Sequence, residues 1–322
     1  MLVNASDGNL TTDYSAYYYT DFDKVAIPII MPIVVTIGII GNVMTIIVIT
    51  STQVMHTSVN VYFANLAIAD TFYLLVAPPW IWNSYIKSPI HNWYDMGEGS
   101  NWFCPFYCFI TGAATTVALF TILWLSIERY MAVCKLFQFR KSGFGICSRS
   151  IKICVIIWLL SLSWMARHLA STSAKIDEVE GLHITKCEPS DLNFKLMFVD
   201  LPIIFLATIV MVVLHTAMLI TLRKTRVILA NSAGTAKKYR LKSEKKIFLT
   251  IVVIVTVYFV CILPKYIHVL LLHYTNTSNI SPMNIFKLMS IINSSVNPLI
   301  YNALNDTFRR AFRDVYCRKC NK

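Results

Sequence analysis

Charge is what this sequence has least of. Asp, Glu, Lys and Arg make up 14% of its 322 residues, where a soluble domain carries roughly 25%, so there is too little polar surface to coat a water-soluble globule of this size. The 10 glycines and 11 prolines are too few for a collagen-like or low-complexity chain, and nine cysteines are too sparse for a small disulfide scaffold. The first 24 residues are polar and acidic, without a basic start, an apolar core and a small-residue cleavage site, so they do not read as a signal peptide. The seven histidines are scattered, with no metal-binding pair on a helix face. Nucleophile motifs and phosphate-binding glycine loops are missing too, which leaves no enzyme constellation and no metal site.

What the chain has instead is hydrophobic residues, at 56%. A helix that crosses a bilayer needs about 20 mostly apolar residues. Stretches 25–51, 103–127, 201–222, 247–264 and 288–305 qualify on length alone. Two more qualify with argument: 60–86 carries Asp70 at its middle, and 153–166 is short but flanked by Arg149, Lys152, Arg167 and His168, whose side chains can snorkel to the interfaces. The expected fold is all-α, a bundle of seven transmembrane helices. Residues 1–24 form a tail, 25–304 the transmembrane domain, and 305–322 an amphipathic helix with a short end. No internal repeat relates the halves, which disfavours a transporter built from duplicated units.

An odd number of spans puts the two ends on opposite sides, and basic residues mark the cytoplasmic one. With the N-terminus outside, 21 of the 29 Lys and Arg fall on inner segments, 12 of the 17 Asp and Glu fall on outer ones, and Asp70 lies between. The net +12 is therefore about +17 inside and −4 outside. Such a distribution orients a multi-pass protein in the plasma membrane and does not point to nucleic acid. Asn4 and Asn9 open glycosylation triplets in the outer tail, consistent with that topology.

Only Cys104, Cys108 and Cys187 lie at or near the outer boundary. A Cys104–Cys187 bridge would pin the long loop between spans four and five over the bundle mouth. Cys108, one turn deeper on the same face, is the competing partner and otherwise a packed thiol.

Specific motifs then become recognisable. Glu128-Arg129-Tyr130 ends span three, and Asn297-Pro298-Leu299-Ile300-Tyr301 lies in span seven. Gly41-Asn42 in span one, Leu66-Ala67-Ile68-Ala69-Asp70 in span two, Trp158 in span four, Pro202 in span five and Cys261-Ile262-Leu263-Pro264 in span six complete the set. Together, one per helix and in order, they resemble the rhodopsin-like G-protein-coupled receptors over essentially the whole chain.

The resemblance implies roles that physical chemistry supports. A mid-membrane Asp must face the bundle interior and find polar partners; Asn42, Asn293, Ser294 and Asn297 are the candidates for Asp70. In the family such a cluster commonly holds a sodium ion, the one cofactor in question; here the helix-three position that usually supplies a serine is Ala118. Arg129 beside Glu128 is the expected switch. Glu244, twenty residues before Pro264, has the spacing of its ionic-lock partner, so Glu244→Ala should raise ligand-free signalling. Two positions depart from the family pattern: Ile262 stands where span six usually has tryptophan, and Val210 where span five usually has tyrosine. After Tyr301, Phe308, Phe312 and Val315 share a helix face, marking an interfacial helix on the inner leaflet. Cys317 and Cys320 then lie where palmitoylation is common.

Absent residues narrow the ligand. Thr111 stands where amine receptors place an aspartate, and Ile291 where opsins need a lysine. The outer segments are rich in aromatics, and Pro78-Pro79-Trp80 resembles peptide and chemokine receptors. The chain looks most like neuropeptide receptors of the somatostatin and galanin type. Asp13 to Asp21 resembles a sulfated chemokine-receptor tail, with a flexible polar tail as the plain alternative. The expected ligand contacts are Trp80, Thr111, Lys195, Lys265, Tyr266 and Lys287, the lysines meeting an anionic group such as a peptide carboxylate. Expected partners are an extracellular peptide, a heterotrimeric G protein, arrestin, a receptor kinase and the bilayer. The alternatives are a receptor for an anionic small molecule or lipid, a chemokine-type receptor and, further off, a transporter or channel.

Overall fold

The computed structural model describes residues 18–91, 95–96, 102–179, 181–232, 235–275 and 282–316. Seven long helices form one bundle. Span one (Met31–Ser51) is led in by a short helix (Asp21–Val25) and a π turn (Ala26–Ile30). Span two is Ser58–Lys87, span three Phe103–Cys134 and span four Cys147–Met165, extended by the turn Arg167–Ser171. Span five is Asp191–Ser232, span six Thr235–Thr275 and span seven Met283–Leu304, followed by the amphipathic helix Asp306–Tyr316.

Six of these helices are long and apolar enough to cross a membrane. Span seven is the exception on composition only. Its 22 residues reach about 33 Å, enough for the hydrocarbon core, but Asn284, Ser290, Asn293, Ser294, Ser295 and Asn297 are all buried inside the bundle. The polar residues that lower its hydropathy are the ones that face its neighbours. Lipid-facing side chains remain apolar, as Ile33, Ile37 and Ile40 on span one show.

Spans three and seven organise the packing: span three lies against spans two, four and five, and span seven against spans one, two and six. Close approach of spans one and seven depends on glycine. A Cβ on Gly38 would collide with Ser295 Oγ and stand 2.8 Å from Leu74 Cδ1, and one on Gly41 would stand 3.0 Å from Pro298 Cβ. The core towards one end centres on Tyr62, Phe63, Leu66, Tyr258, Tyr301 and Phe308, and a second cluster at the other end on Tyr19, Ile27, Met31, Leu74 and Ile81.

The segment between spans four and five is not a plain loop. Strands β1 (Thr172–Val179) and β2 (Leu182–Pro189) form an antiparallel hairpin, turned at Gly181 with φ of 76°. The end of the bundle that carries it is called outer below.

Two flanking cations depart from the snorkelling expectation. Arg167 forms an ion pair with Asp200 of span five and lies 4.5 Å over the Trp164 ring, whose Nε1 donates to Asp200 Oδ1 at 2.8 Å. Arg149 donates to the Ser142 carbonyl and lies over Phe144. Both find protein partners because the helices run past the apolar stretch that bounded span four in the sequence.

Candidate functional site

The outer mouth is roofed by residues far apart in sequence. Cys104 and Cys187 are disulfide-bonded, and free Cys108 lies with its Sγ 4.0 Å from that of Cys187. The hairpin is also hydrogen-bonded to the segment after span two. Thr185 N donates to Asp95 Oδ1 at 3.0 Å, Met96 N donates to the Thr185 carbonyl at 2.8 Å, and Ser84 Oγ donates to the Asp95 carbonyl. Across the hairpin, Lys186 Nζ donates to Asp177 at 2.6 Å, which holds that carboxyl below its ordinary range.

Of residues 18–24, expected as tail, Tyr19 and Asp23 are buried in the bundle while Phe22 and Lys24 stay exposed. Thr20 caps the first short helix by a reciprocal pair of bonds with Asp23. Tyr19 is buried with its ring 4.9 Å from Tyr85 and 5.4 Å from His91, and Trp82 Nε1 donates to the Ile27 carbonyl at 2.8 Å. Asp23 is fully buried, and its Oδ1 has no hydrogen-bond partner among the described residues. His91 accepts from Asn284 Nδ2 at 2.8 Å. Burial first, then the Lys287 charge, pushes its pKa down to about 3, so the ring is neutral at physiological pH.

Below this roof the expected ligand contacts separate. Lys265 and Lys287 lie within electrostatic reach of each other, Lys265 also of Cys108, and Lys287 of Asp23. Tyr266 is in similar reach of Asp200, Tyr73 and Arg167. Trp80 stacks on Phe103 with ring centroids 4.0 Å apart. Thr111 turns its hydroxyl to the Tyr107 carbonyl of its own helix at 2.6 Å. Lys195 begins span five, and its side chain lies outside the described residues.

At mid-bundle, Asn297 Nδ2 donates to Asp70 Oδ2 at 2.8 Å, and Asn42 Nδ2 to the Ser294 carbonyl at 2.8 Å. A cavity of about 10 Å³ adjoins them, lined by Asp70, Thr115, Ala118, Ser290, Asn293 and Ser294 among others. That is room for about one water. A sodium ion there would have the Asp70 carboxylate and nearby hydroxyl and amide oxygens, while Ala118 presents only a methyl. Ile262 and Tyr258 also line the cavity, and the Tyr258 hydroxyl donates to the Thr115 carbonyl at 3.3 Å.

At the inner end, Glu128 is 1% exposed and accepts from three donors. Ser58 Oγ and Arg129 Nη2 reach Oε1, the latter at 3.2 Å, and Tyr62 OH reaches Oε2 at 2.9 Å. Among the described residues no ion pair joins Arg129 to Glu244, and the arginine pairs with its own neighbour Glu128. Glu128 is adjacent to Arg129 in the chain and buried beside it. Span six instead makes an ion pair through Lys246 with Asp306 of the amphipathic helix. Tyr130 is half-buried. Tyr301 is buried, stacked on Phe63 at 4.3 Å, and its hydroxyl has no partner among the described residues. Asn4, Asn9, Cys317 and Cys320 lie outside the described residues.

Several residues of these networks escaped the sequence reading. Ser58, Tyr62 and Asn65 run down one face of span two. Asn65 Nδ2 donates to Thr121 Oγ1 at 2.7 Å, and Trp158 Nε1 donates to Asn65 Oδ1 at 2.9 Å. Their i, i+4, i+7 spacing is a polar stripe in an otherwise apolar helix, a signal available in the sequence. Nothing local could have paired Asp200 with Arg167, or Lys246 with Asp306.

The model of the "7 transmembrane receptor (rhodopsin family)" matches residues 41–301. Somatostatin receptor type 4 of Rattus norvegicus is 27% identical over 301 residues, covering 92% of this chain and 74% of that protein. Neuromedin U receptor homolog nmur-2 of Caenorhabditis elegans is 25% identical over 312 residues (86% and 75%). Allatostatin-A receptor of Bombyx mori is 24% identical over 343 residues (96% and 88%).

Proposed function

The chain belongs to the rhodopsin family of seven-transmembrane receptors, and from that premise we propose that it is a cell-surface receptor activated by a peptide and coupled to a heterotrimeric G protein. It is a multi-pass membrane receptor and not an enzyme. The observation that carries the peptide reading is the roofed mouth: a disulfide-pinned hairpin, aromatic walls and two lysines in reach of each other beneath it. Relatives named as somatostatin, neuromedin U and allatostatin-A receptors support the same ligand class.

In this reading the N-terminus is extracellular, and an anionic group of the peptide meets Lys265 and Lys287, with Trp80 and Tyr266 on the walls. Binding shifts a pre-existing equilibrium: span six moves, the contacts of Arg129 rearrange, and the inner cleft opens to the G protein, with arrestin and a receptor kinase acting later. Sodium at Asp70 is weakly held for want of an oxygen at position 118. Cys317 and Cys320 carry palmitate. A ligand that is a small anion or lipid is the second reading, favoured by the same two lysines.

The test is nucleotide exchange on purified G proteins by the reconstituted chain, screened with acid-terminated peptides, their amides and anionic lipids. Exchange driven by acid-terminated peptides is expected. Exchange driven only by lipids overturns the peptide reading, and none with any of them overturns both.

A further inference from the structure

The inner end of span six has a tether, and it does not lead to span three. Lys246 Nζ pairs with Asp306 Oδ2, while Arg309 Nη2 contacts Asp306 Oδ1 at 2.5 Å and Arg310 Nε donates to the Asp306 carbonyl at 3.3 Å. Three cations thus converge on one residue at the start of the amphipathic helix, and the hydrogen bond from Lys246 is the foremost cause that holds the Asp306 carboxyl below its ordinary range. Glu244, two residues before Lys246, makes no ion pair with Arg129 among the described residues.

Asp306 is a fixed anchor. Asn305 Oδ1 accepts from the backbone N–H groups of Thr307 and Phe308 at 3.1 and 3.2 Å, capping the helix. Phe308 is buried and meets the Tyr301 ring at 5.8 Å, and Tyr316 OH donates to the Met44 carbonyl of span one at 3.4 Å. The amphipathic helix is therefore moored to spans one and seven. Lys246 lies eighteen residues before Pro264, so a bend at that proline swings it on an arm of about 27 Å. A small force at the end of so long an arm biases the whole helix.

We propose that Lys246 and Asp306 are positioning residues that hold span six in its resting place, so that the resting tether of this receptor runs from span six to the amphipathic helix. This rests on the reading of the chain as a receptor whose span six moves. Both side chains are 38% exposed, so the pair is screened. It biases a near-balanced equilibrium and does not lock it.

The test uses the full chain in nanodiscs with three charge variants, Lys246→Glu, Asp306→Lys and both together, and two milder ones, Lys246→Gln and Asp306→Asn. Two readouts are taken: ligand-free nucleotide exchange at matched receptor amount, and the distance between spin labels at Gln53 and Lys245. Each single variant is expected to raise basal exchange roughly two- to five-fold and to lengthen the label distance. The double reversal should restore both, and high salt should erase the differences. The tether is overturned if single variants leave the label distance unchanged, or if the double reversal is no closer to the starting protein than its parents. A distance that responds and recovers while no G protein exchanges nucleotide overturns the coupling reading and leaves the tether standing.

Discussion

Glu128 shows how one buried carboxylate sets the character of the inner end. Three donors converge on it, two of them from span two, and burying such a polar group is costly unless donors meet it. Tyr62→Phe removes one without changing shape. A hydrogen bond to a charged group is worth about 1.5–3 kcal/mol, so the variant should unfold more readily by about that amount and raise basal exchange. An unchanged thermal midpoint with unchanged basal exchange would sink this account. Ala118 has the opposite character, a methyl where an oxygen would complete a cation site. Ala118→Ser should strengthen the effect of sodium, read as the difference in thermal midpoint between sodium and choline chloride. Equal salt responses in the two proteins would show that the cavity holds water alone.

Among the elements, spans one and seven depend on the absence of a side chain. Gly38→Ala forces its new methyl into Ser295 and Leu74, and overpacking of this kind destabilises by about 1–3 kcal/mol. Thermal unfolding of the purified protein checks it, and a gain in stability would mean the helices can part without loss. The roof has its own dependence, on pH. His91 is neutral in the fold and faces Asn284, Tyr19 and Lys287. Its pKa falls from 6.5 in the opened chain to about 3 in the closed one. Above pH 6.5 neither state binds the proton, so the effect vanishes. Below it the opened state gains one that the closed state refuses, and closure weakens by about 1.4 kcal/mol at pH 5.5. Hydrogen exchange around Ser84 and Thr185 should quicken between pH 7.5 and 5.5 beyond the intrinsic rate change, and His91→Gln should abolish the excess.

These elements differed in how legible they were. Spans one, three, five and six announce themselves by length and apolarity, whereas span two carries Asp70 at its middle and span four is short between flanking cations. Span seven is legible both as the charge-free stretch 288–305 and through Asn297-Pro298, although the polar residues it buries against its neighbours lower its hydropathy. The hairpin between spans four and five has no apolar alternation to betray it: Lys175, Asp177, Lys186 and Glu188 interrupt both strands. Its order derives from the disulfide and from Asp95, both distant in sequence. Among the described residues Arg129 pairs with Glu128 and not with Glu244, since spacing fixes where a side chain starts and not which partner lies nearest.

For the whole molecule, the charge distribution supports one orientation, with the acidic end outside. If so, Asn4 and Asn9 carry glycans in mammalian cells, and an amidase that strips N-glycans should sharpen and lower the band on a gel. Asn4→Gln with Asn9→Gln should remove that shift, and a wild-type band that never shifts would count against the orientation. The Cys104–Cys187 bridge bears on the same question from another direction. Its two cysteines are 83 positions apart, and the chain between them crosses the membrane inward as span three and back as span four. The bond therefore closes a covalent ring through two crossings, and only a chain already threaded in alternating directions can make it. Reducing that one bond would cut the hairpin's covalent tie to span three and open the ring.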